Sequence, residues 1–201
     1  EGHAGAARFA YNLMLARIQS QLARGEKADW TMYAQRRWWN EWKNEIAPWW
    51  AEYSKEAYNS AFESLSAALR SFLDSKTGRR KGKRMGWPRF KSKRRSMLRF
   101  AYTTGSFGLI GGDPKALKLP RIGRVHCMEN IARRVGDAKV ARMSVSRHAG
   151  RWYASLTVER GDPPNPCAPK GGAVGVDLGV KTLAALSDGT VFGNPRHLKR
   201  G

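Results

Sequence analysis

The spacing of apolar residues changes once along the chain, and this change constrains the fold more than any other feature of the sequence. Up to about residue 75, apolar side chains recur at steps of three and four residues, which is typical of amphipathic helices. From residue 96 onward, apolar and polar side chains alternate, as they do in half-buried strands. We therefore predict an α+β chain in which a small helical part precedes several antiparallel strands.

Three helices are predicted in the helical part. The first covers about residues 4 to 22, and Asp29 or Thr31 offers an N-cap for the second, which ends before Pro48. The third covers about residues 54 to 73. Six of the eight tryptophans lie between residues 30 and 50, which fits either a small aromatic core or a platform on which bases stack. We expect Trp49 and Trp50, beside Pro48, to be the two that face a partner.

The strand part contains one clear hairpin. Residues 139–159 form two alternating runs joined around Ala149 and Gly150, and residues 117–128 indicate a further strand pair with a break at Pro120. In the hairpin, the alternation places Ala141, Met143 and Val145 on one face. Because these strands are short and antiparallel, we predict that they close into a small β-barrel. A run rich in Pro and Gly, residues 161–172, predicts a linker after it.

A segment between these two parts, residues 76–95, holds eleven Lys or Arg residues and no acid. Glycines and Pro88 prevent it from forming one helix, so we predict an extended basic segment. Such a run is commonly only solvated, but here aromatic residues are interleaved with the cations, as contacts to phosphates and bases require. The candidate nucleic-acid-binding residues are Arg79, Arg80, Lys81, Lys83, Arg84, Trp87, Arg89, Lys91, Lys93, Arg94 and Arg95.

The charge of the chain indicates the same class of partner. Lys and Arg number 37 against 16 Asp and Glu, a formal net charge of +21, which concentrates polyanions. No apolar run is long enough to cross a bilayer and no long basic amphipathic helix is evident, so we expect nucleic acid rather than a membrane or a small-molecule substrate. Only two cysteines occur, far apart, which favours a reducing compartment.

An aspartate within an apolar run is the main candidate for catalysis. In residues 174–192, Asp177 lies in a predicted strand, a bend at Gly179 leads to a second strand, and a turn at Asp188 leads to a third. Burying an isolated carboxylate is costly unless it is paired or binds a metal. A carboxylate on the first strand is typical of RNase H-like nucleases, which use divalent cations. The same pattern occurs in kinases, where it faces ATP phosphates, and an aspartate that only caps a turn is a further alternative.

Three stretches resemble the transposon-encoded TnpB proteins and their descendants, the type V CRISPR effectors. They are GWPRFKSK at residues 86–93, VSRHAGRWYASLTVE at residues 145–159 and GVDLGVKTLAALSDGTVFGNPRHLKR at residues 175–200. Residues 9–16 and the end of the third helix also resemble the start and end of the helical recognition lobe of that family. The resemblance therefore extends over nearly the whole chain.

The resemblance implies an RNA-guided DNA endonuclease, with guide RNA and target DNA as partners, acting in the prokaryotic cytoplasm at the nucleoid. It implies that Asp177 is the first of three carboxylates that hold Mg²⁺ in a RuvC nuclease domain. It also implies a division of the chain into a helical recognition lobe (1–75), a basic connecting segment (76–95), a β-barrel wedge domain (96–160), a linker (161–172) and the start of the RuvC domain (173–201).

The sequence departs from the family pattern in ways that predict a fragment. No Glu or Asp follows Asp188, the two CxxC pairs of the family's zinc ribbon are missing, and the chain begins without Met. We expect this piece to bind nucleic acid without cutting it. The alternatives are a guide-RNA-dependent, repressor-like DNA-binding protein that has lost its nuclease activity, and a general basic RNA-binding protein such as a ribosomal component.

Overall fold

The computed structural model of the chain describes residues 1–159, 161 and 174–195. The chain divides into two compact units, Glu1–Glu159 and Arg160–Gly201. The predicted linker lies outside the described residues except for Gly161, and the five-part division of the sequence stays a prediction. Among the described residues, no helix is both long enough and apolar enough to span a membrane.

The helical part of the first unit matches the prediction closely. Thr31 caps the second helix by accepting a hydrogen bond from the Ala34 N–H at 3.2 Å, and Ser54 caps the third by accepting one from the Glu56 N–H at 3.3 Å. A 3₁₀ turn, Pro48–Glu52, separates these two helices. The α-helices of this part are α1 (Gly2–Ala23), α2 (Met32–Ile46) and α3 (Lys55–Lys76).

The strands of the first unit form two antiparallel sheets of three strands each, ordered β1-β5-β6 and β2-β3-β4. A short helix, α4 (Ile131–Val135), lies between β4 and β5 in the chain. The strands are β1 (Arg99–Tyr102), β2 (Gly108–Ile110), β3 (Asp113–Leu119), β4 (Gly123–His126), β5 (Lys139–His148) and β6 (Arg151–Glu159).

The predicted barrel is not closed by the described strands. A barrel requires every strand to pair on both sides, but β1 and β6 each pair only with β5, and β2 and β4 each pair only with β3. Apolar residues of the two sheets instead belong to one core that also includes the helices, among them Tyr102, Leu117 and Met143. Alternating short strands were a sound reason to predict antiparallel pairing, but alternation carries no information about closure.

The predicted hairpin is present, with one local correction. Ala149 and Gly150 both have positive φ, 46° and 79°, as a tight two-residue hairpin turn requires. A bulge between Val140 and Arg142 leaves Ala141 without a cross-strand partner, so Val140 lies opposite Val158. The prediction that Ala141 continues the face of Met143 is therefore wrong, because the extra residue shifts the alternation.

The core of the first unit joins the helices to the first sheet. The predicted stripe of α3 is buried, from Tyr58 through Phe62 and Leu65 to Leu69, and it packs with buried residues of α1 such as Met14. Burying side chains of this size stabilises the unit by about 1.5–3 kcal/mol each. This packing holds α1, α3 and β1 in fixed positions relative to one another.

In its described residues, the second unit forms three short antiparallel strands in the order β7-β8-β9. The Asp188 carboxylate accepts a hydrogen bond from the Thr190 N–H at 2.9 Å, and Gly189 has a φ of 88°, so the predicted turn before the third strand is confirmed. The assignment of these strands to a RuvC domain stays a prediction. They are β7 (Val176–Leu178), β8 (Thr182–Leu186) and β9 (Val191–Gly193).

Candidate nucleic-acid interface

The basic segment is irregular, and Trp87 and Lys91 are among the residues that attach it to the helices. Nine of its candidate side chains are exposed, and none of the nine forms an ion pair with an acidic side chain in the described part of the chain. They therefore present positive charge to the solvent. These residues are Arg79, Arg80, Lys81, Lys83, Arg84, Arg89, Lys93, Arg94 and Arg95.

Trp87 is the first point of attachment. Its ring makes edge-to-face contacts with Trp30, at a centroid distance of 5.8 Å, and with Phe72 of α3, at 5.2 Å. Pro88, the next residue, is buried. Aromatic pairs of this geometry stabilise a fold beyond the area that they bury. The indole of Trp87 thus holds the basic segment against the helices, and its contact with nucleic acid stays a prediction.

Lys91 is the second point of attachment. Its backbone N–H donates to Asn12 Oδ1 at 2.8 Å, and its carbonyl accepts from Asn12 Nδ2 at 2.9 Å, so one α1 side chain fixes both groups. The Lys91 ammonium lies 3.8 Å from the centre of the Tyr11 ring. Burial, with a smaller contribution from the neighbouring charge of Arg99, lowers the pKa of Lys91 to about 8.

A cavity of about 260 Å³ lies beside Lys91, between α1, α3 and β1. Small residues of the two helices leave the space open, and hydroxyl groups of Ser60, Ser64 and Ser96 line it. Four cationic side chains and a single carboxylate also line it. These charged residues are Arg8, Glu63, Lys91, Arg99 and Arg142.

The charged residues of the cavity are not equally engaged. Arg142 donates two hydrogen bonds to the Glu63 carboxylate, at 2.7 and 2.8 Å, so this pair neutralises itself. Arg99 donates to Ser144 Oγ at 3.3 Å. Arg8 is half-buried and makes no hydrogen bond or ion pair with any described residue. The cavity therefore has an excess of positive charge, part of which is unpaired.

Arg8, Arg99 and Arg142 were missed by the sequence interpretation, because each lies in a predicted helix or strand rather than in the basic segment. A weak signal was available in α1 and α3, where Ala4 and Ala7, and Ser60 and Ser64, place small side chains one turn apart. Small residues on two neighbouring helices leave room for a groove. The bulge at Ala141, which orients Arg142, could not be recognised from the alternation.

The tryptophans of the helical part serve mainly as packing. Trp39 is buried and stacks on Tyr58 at 4.7 Å. Trp49 contacts Phe9 at 5.1 Å, and Trp50 donates from Nε1 to Asn44 Oδ1 at 2.7 Å. Both Trp49 and Trp50 are half-buried against the core, so the structure does not favour their selection as the partner-facing pair. The structure instead exposes more of Trp42.

Asp177 lies at the centre of β7 opposite Ala185 of β8, so the predicted strand position is confirmed, and its side chain is exposed. Asp188, the other acid among the described residues of this unit, is engaged in the turn with Thr190. Among the described residues, no three His, Cys, Asp or Glu side chains form a group that could hold a metal ion. Asp177 could supply one ligand to Mg²⁺, but the described donor set does not amount to a Mg²⁺ site.

The chain is similar over nearly its whole length to proteins described as RNA-guided DNA endonucleases. The Mycobacterium tuberculosis H37Rv protein named "Putative RNA-guided DNA endonuclease Rv2885c" is 34% identical over 222 residues, which cover 98% of this chain and 47% of that protein. The Escherichia coli K12 protein named "Putative RNA-guided DNA endonuclease InsQ" is 32% identical over 191 residues, covering 94% and 43%. The chain is a homologue of these RNA-guided DNA endonucleases.

The resemblance found in the sequence motifs is thereby confirmed. A relative from Streptomyces pristinaespiralis with the same kind of description is 30% identical over 162 residues, covering 80% of this chain and 37% of its own length. The chain spans less than half the length of these relatives. No protein-family model matches it.

Proposed function

We propose that this chain is the part of an RNA-guided DNA endonuclease that binds the guide RNA and target DNA. The observation that carries the proposal is the alignment of 98% of the chain, at 34% identity, with a protein of that description. The basic segment supports it, since nine exposed cations that pair with no acid in the described part of the chain are suited to the phosphate backbone. In such a protein, base pairing with the guide reads the target sequence while the protein binds the backbone and a short flanking motif.

Cleavage is proposed to depend on Asp177 in the full-length protein. The resemblance of residues 175–200 to the first RuvC motif supports this role, and the position of Asp177 on an exposed strand leaves its carboxylate accessible. Mg²⁺, when bound, would polarise a phosphodiester and activate water. Because the described residues offer one suitable carboxylate, we derive no metal-dependent step from this chain.

The proposed function is tested with the full-length protein and the RNA that copurifies with it. Sequencing this RNA identifies the guide, and a matching DNA target is then assayed for binding and cleavage. We expect the isosteric Asp177→Asn change to abolish cleavage and to leave target binding within about threefold, since one exposed carboxylate contributes little to holding nucleic acid. Asp188→Asn, which changes the charge equally in the same unit, is the control and should still cut.

Three results would contradict parts of this proposal. Cleavage by the Asp177→Asn protein at the rate of the wild type would exclude a catalytic role for Asp177. Binding of the guided target without cleavage by the wild type would favour the repressor-like alternative. Copurification of unrelated cellular RNAs, with no guided target binding, would favour a general RNA-binding protein.

A further inference from the structure

We propose that the cavity between α1, α3 and β1 is a phosphate pocket in which Arg8 and Lys91 bind one phosphate group of the nucleic acid. The identity of that phosphate as part of a nucleic acid rests on the proposed function, whereas the binding of phosphate itself rests on the cavity alone. The basic segment supplies exposed cations that any phosphate can approach. The cavity differs because it is partly enclosed and because contacts with the fold hold two of its cations, Lys91 and Arg142, in position.

The state of Arg8 is the first observation that supports a ligand. Arg8 is half-buried on α1, lines the cavity, and has no hydrogen-bonding or ionic partner among the described residues. Removing a charge partly from water without pairing it is unfavourable, and folded proteins rarely leave such a group unused. A bound phosphate would satisfy it, since the planar fork of Arg matches two phosphate oxygens.

The position of Lys91 is the second observation. The side chain of Asn12 fixes the Lys91 backbone at both its N–H and its carbonyl. The ammonium is held beside the cavity by the Tyr11 ring, at 3.8 Å, and by a long hydrogen bond to Ser64 Oγ, at 3.5 Å. An anion beside it would offset the burial and the repulsion from Arg99 that disfavour its charge. Lys91 also lies between Arg89 and Lys93 of the basic segment, so a strand that follows the exposed cations arrives at the cavity.

The lining of the cavity selects the class of ligand. Ser64 and Ser96 offer hydroxyl donors, whereas the Ser60 hydroxyl donates to the Ala57 carbonyl at 2.8 Å. Glu63, the carboxylate of the cavity, is occupied by Arg142. A divalent cation would be repelled by the surrounding positive charge, and a base would find few acceptors for its amino groups. A volume of about 260 Å³ equals that of about nine water molecules, which is enough for a phosphate group and its attached oxygens.

The first experiment uses inorganic phosphate and the 201-residue chain, so that it does not depend on nucleic acid. Thermal unfolding is measured in phosphate and in chloride at the same ionic strength, for the wild type, Arg8→Ala and Lys91→Met. Arg124→Ala is the matched control, because Arg124 carries the same charge but pairs with Asp113 on β3. Phosphate stabilises folded proteins generally by exclusion from their surface, so we expect it to raise the Tm of every variant. The increase should be smaller in Arg8→Ala and Lys91→Met than in the wild type and the control, because these two variants lose the contribution of the site.

The second experiment measures binding of a single-stranded RNA of about 12 nucleotides by fluorescence anisotropy at several salt concentrations. We expect Arg8→Ala to weaken binding about tenfold, or about 1.4 kcal/mol, and to reduce the log–log salt slope by about 0.7, as expected when one phosphate of a single strand is no longer neutralised. The RNA is tested in two forms, one with a 5′-phosphate and one with a 5′-hydroxyl. An equal weakening for both supports an internal phosphodiester, and a weakening confined to the 5′-phosphate supports a terminal phosphate.

The two experiments separate the phosphate pocket from the proposed function. If phosphate stabilises the Arg8→Ala and Lys91→Met proteins as much as the control, the pocket is overturned, whether or not RNA binds. If phosphate stabilisation depends on Arg8 and Lys91 but the wild type binds no RNA or DNA, the pocket is supported and the proposed function fails. If RNA binds the Arg8→Ala and Arg124→Ala proteins equally well and with the same salt slope, the assignment of a nucleic-acid phosphate to the cavity is overturned.

Discussion

Glu56 joins the helical part of the first unit to its first sheet, and replacing it should unfold both together. Its carboxylate, at the start of α3, is buried and accepts five hydrogen bonds. Oε1 accepts from Asn59 Nδ2 at 2.8 Å and Thr104 Oγ1 at 2.9 Å. Oε2 accepts from the Thr103 N–H at 3.0 Å, the Thr103 hydroxyl at 2.8 Å and the Thr104 N–H at 3.2 Å.

The magnitude of the effect follows from these bonds. A hydrogen bond to a charged group contributes about 1.5–3 kcal/mol, and a neutral one about 0.5–1.5 kcal/mol. Glu56→Gln keeps one acceptor oxygen but removes the charge, and its amide NH₂ faces groups that donate to the wild-type carboxylate. We therefore expect the free energy of unfolding to fall by about 2 kcal/mol. Glu56→Ala leaves the N–H groups of Thr103 and Thr104 without an acceptor, and we expect a loss of about 4 kcal/mol.

The assay is urea unfolding at pH 7 followed by tryptophan fluorescence. All eight tryptophans lie at or before residue 152, so the signal reports on the first unit. Glu45→Gln is the control because Glu45 is exposed on α2 and the charge change is the same. For a protein of this size, 1 kcal/mol corresponds to about 2–4 °C in Tm, so Glu56→Gln should lower the Tm by about 4–8 °C.

The pH dependence provides a second check. Burial alone would raise the pKa of Glu56, but hydrogen bonds from Thr103, Asn59 and Thr104 outweigh it and hold the pKa below its ordinary value of 4.5. A lowered folded-state pKa contributes stability that is present above pH 4.5 and is lost as the pH falls through the folded-state pKa. The difference in free energy of unfolding between the wild type and Glu56→Gln should therefore shrink below pH 4.5. A difference that is constant with pH, or a Glu56→Gln protein as stable as the Glu45→Gln control, would refute the reasoning.

Two further predictions concern the basic segment. Trp87→Ala should destabilise the first unit by about 2 kcal/mol, because it removes the packing of this ring against Trp30 and Phe72. Phe90→Ala, which removes an exposed neighbouring ring, is the control and should leave the urea midpoint nearly unchanged. A Trp87→Ala protein that is stable but binds RNA poorly would instead make Trp87 a base-stacking residue. Replacing Arg94 and Arg95 together by Ala should weaken RNA binding and reduce the log–log salt slope by about 0.7 for each phosphate of a single strand that is no longer neutralised. Replacing the ion-paired Arg24 and Arg124 is the control, and equal slopes would mean that this turn is only solvated.

The elements of the first unit were largely predictable because each has a local cause. The stripe of α3 and the caps at Thr31 and Ser54 involve residues within a few positions of one another. The hairpin turn likewise depends on Ala149 and Gly150 alone. Local spacing and turn chemistry therefore predict where helices and strands form, with boundaries within about three residues.

The arrangement of those elements was not predictable, because it depends on contacts between distant residues. Glu56 bonds to a loop 47 and 48 positions away, and Arg142 pairs with Glu63, 79 positions away. Neither pair follows from a periodicity. Lys91 was selected as one of ten candidate cations, and its contacts with Asn12 and Tyr11 set it apart from its neighbours. The absence of barrel closure was unpredictable for the same reason, since closure depends on whether the edge strands of the sheets pair with one another.

The distribution of acids explains why contacts between cations and phosphates, which weaken as the salt concentration rises, should dominate the binding of nucleic acid. The seven ion pairs among the described residues use seven of the 16 acids, and none involves a cation of residues 79–95. Acids therefore balance cations elsewhere in the first unit and leave the basic segment uncompensated. Contacts made by such a segment recognise phosphates, which are the same at every base. Removing its cations should thus weaken binding to all sequences equally, while sequence preference is left to base pairing with the guide.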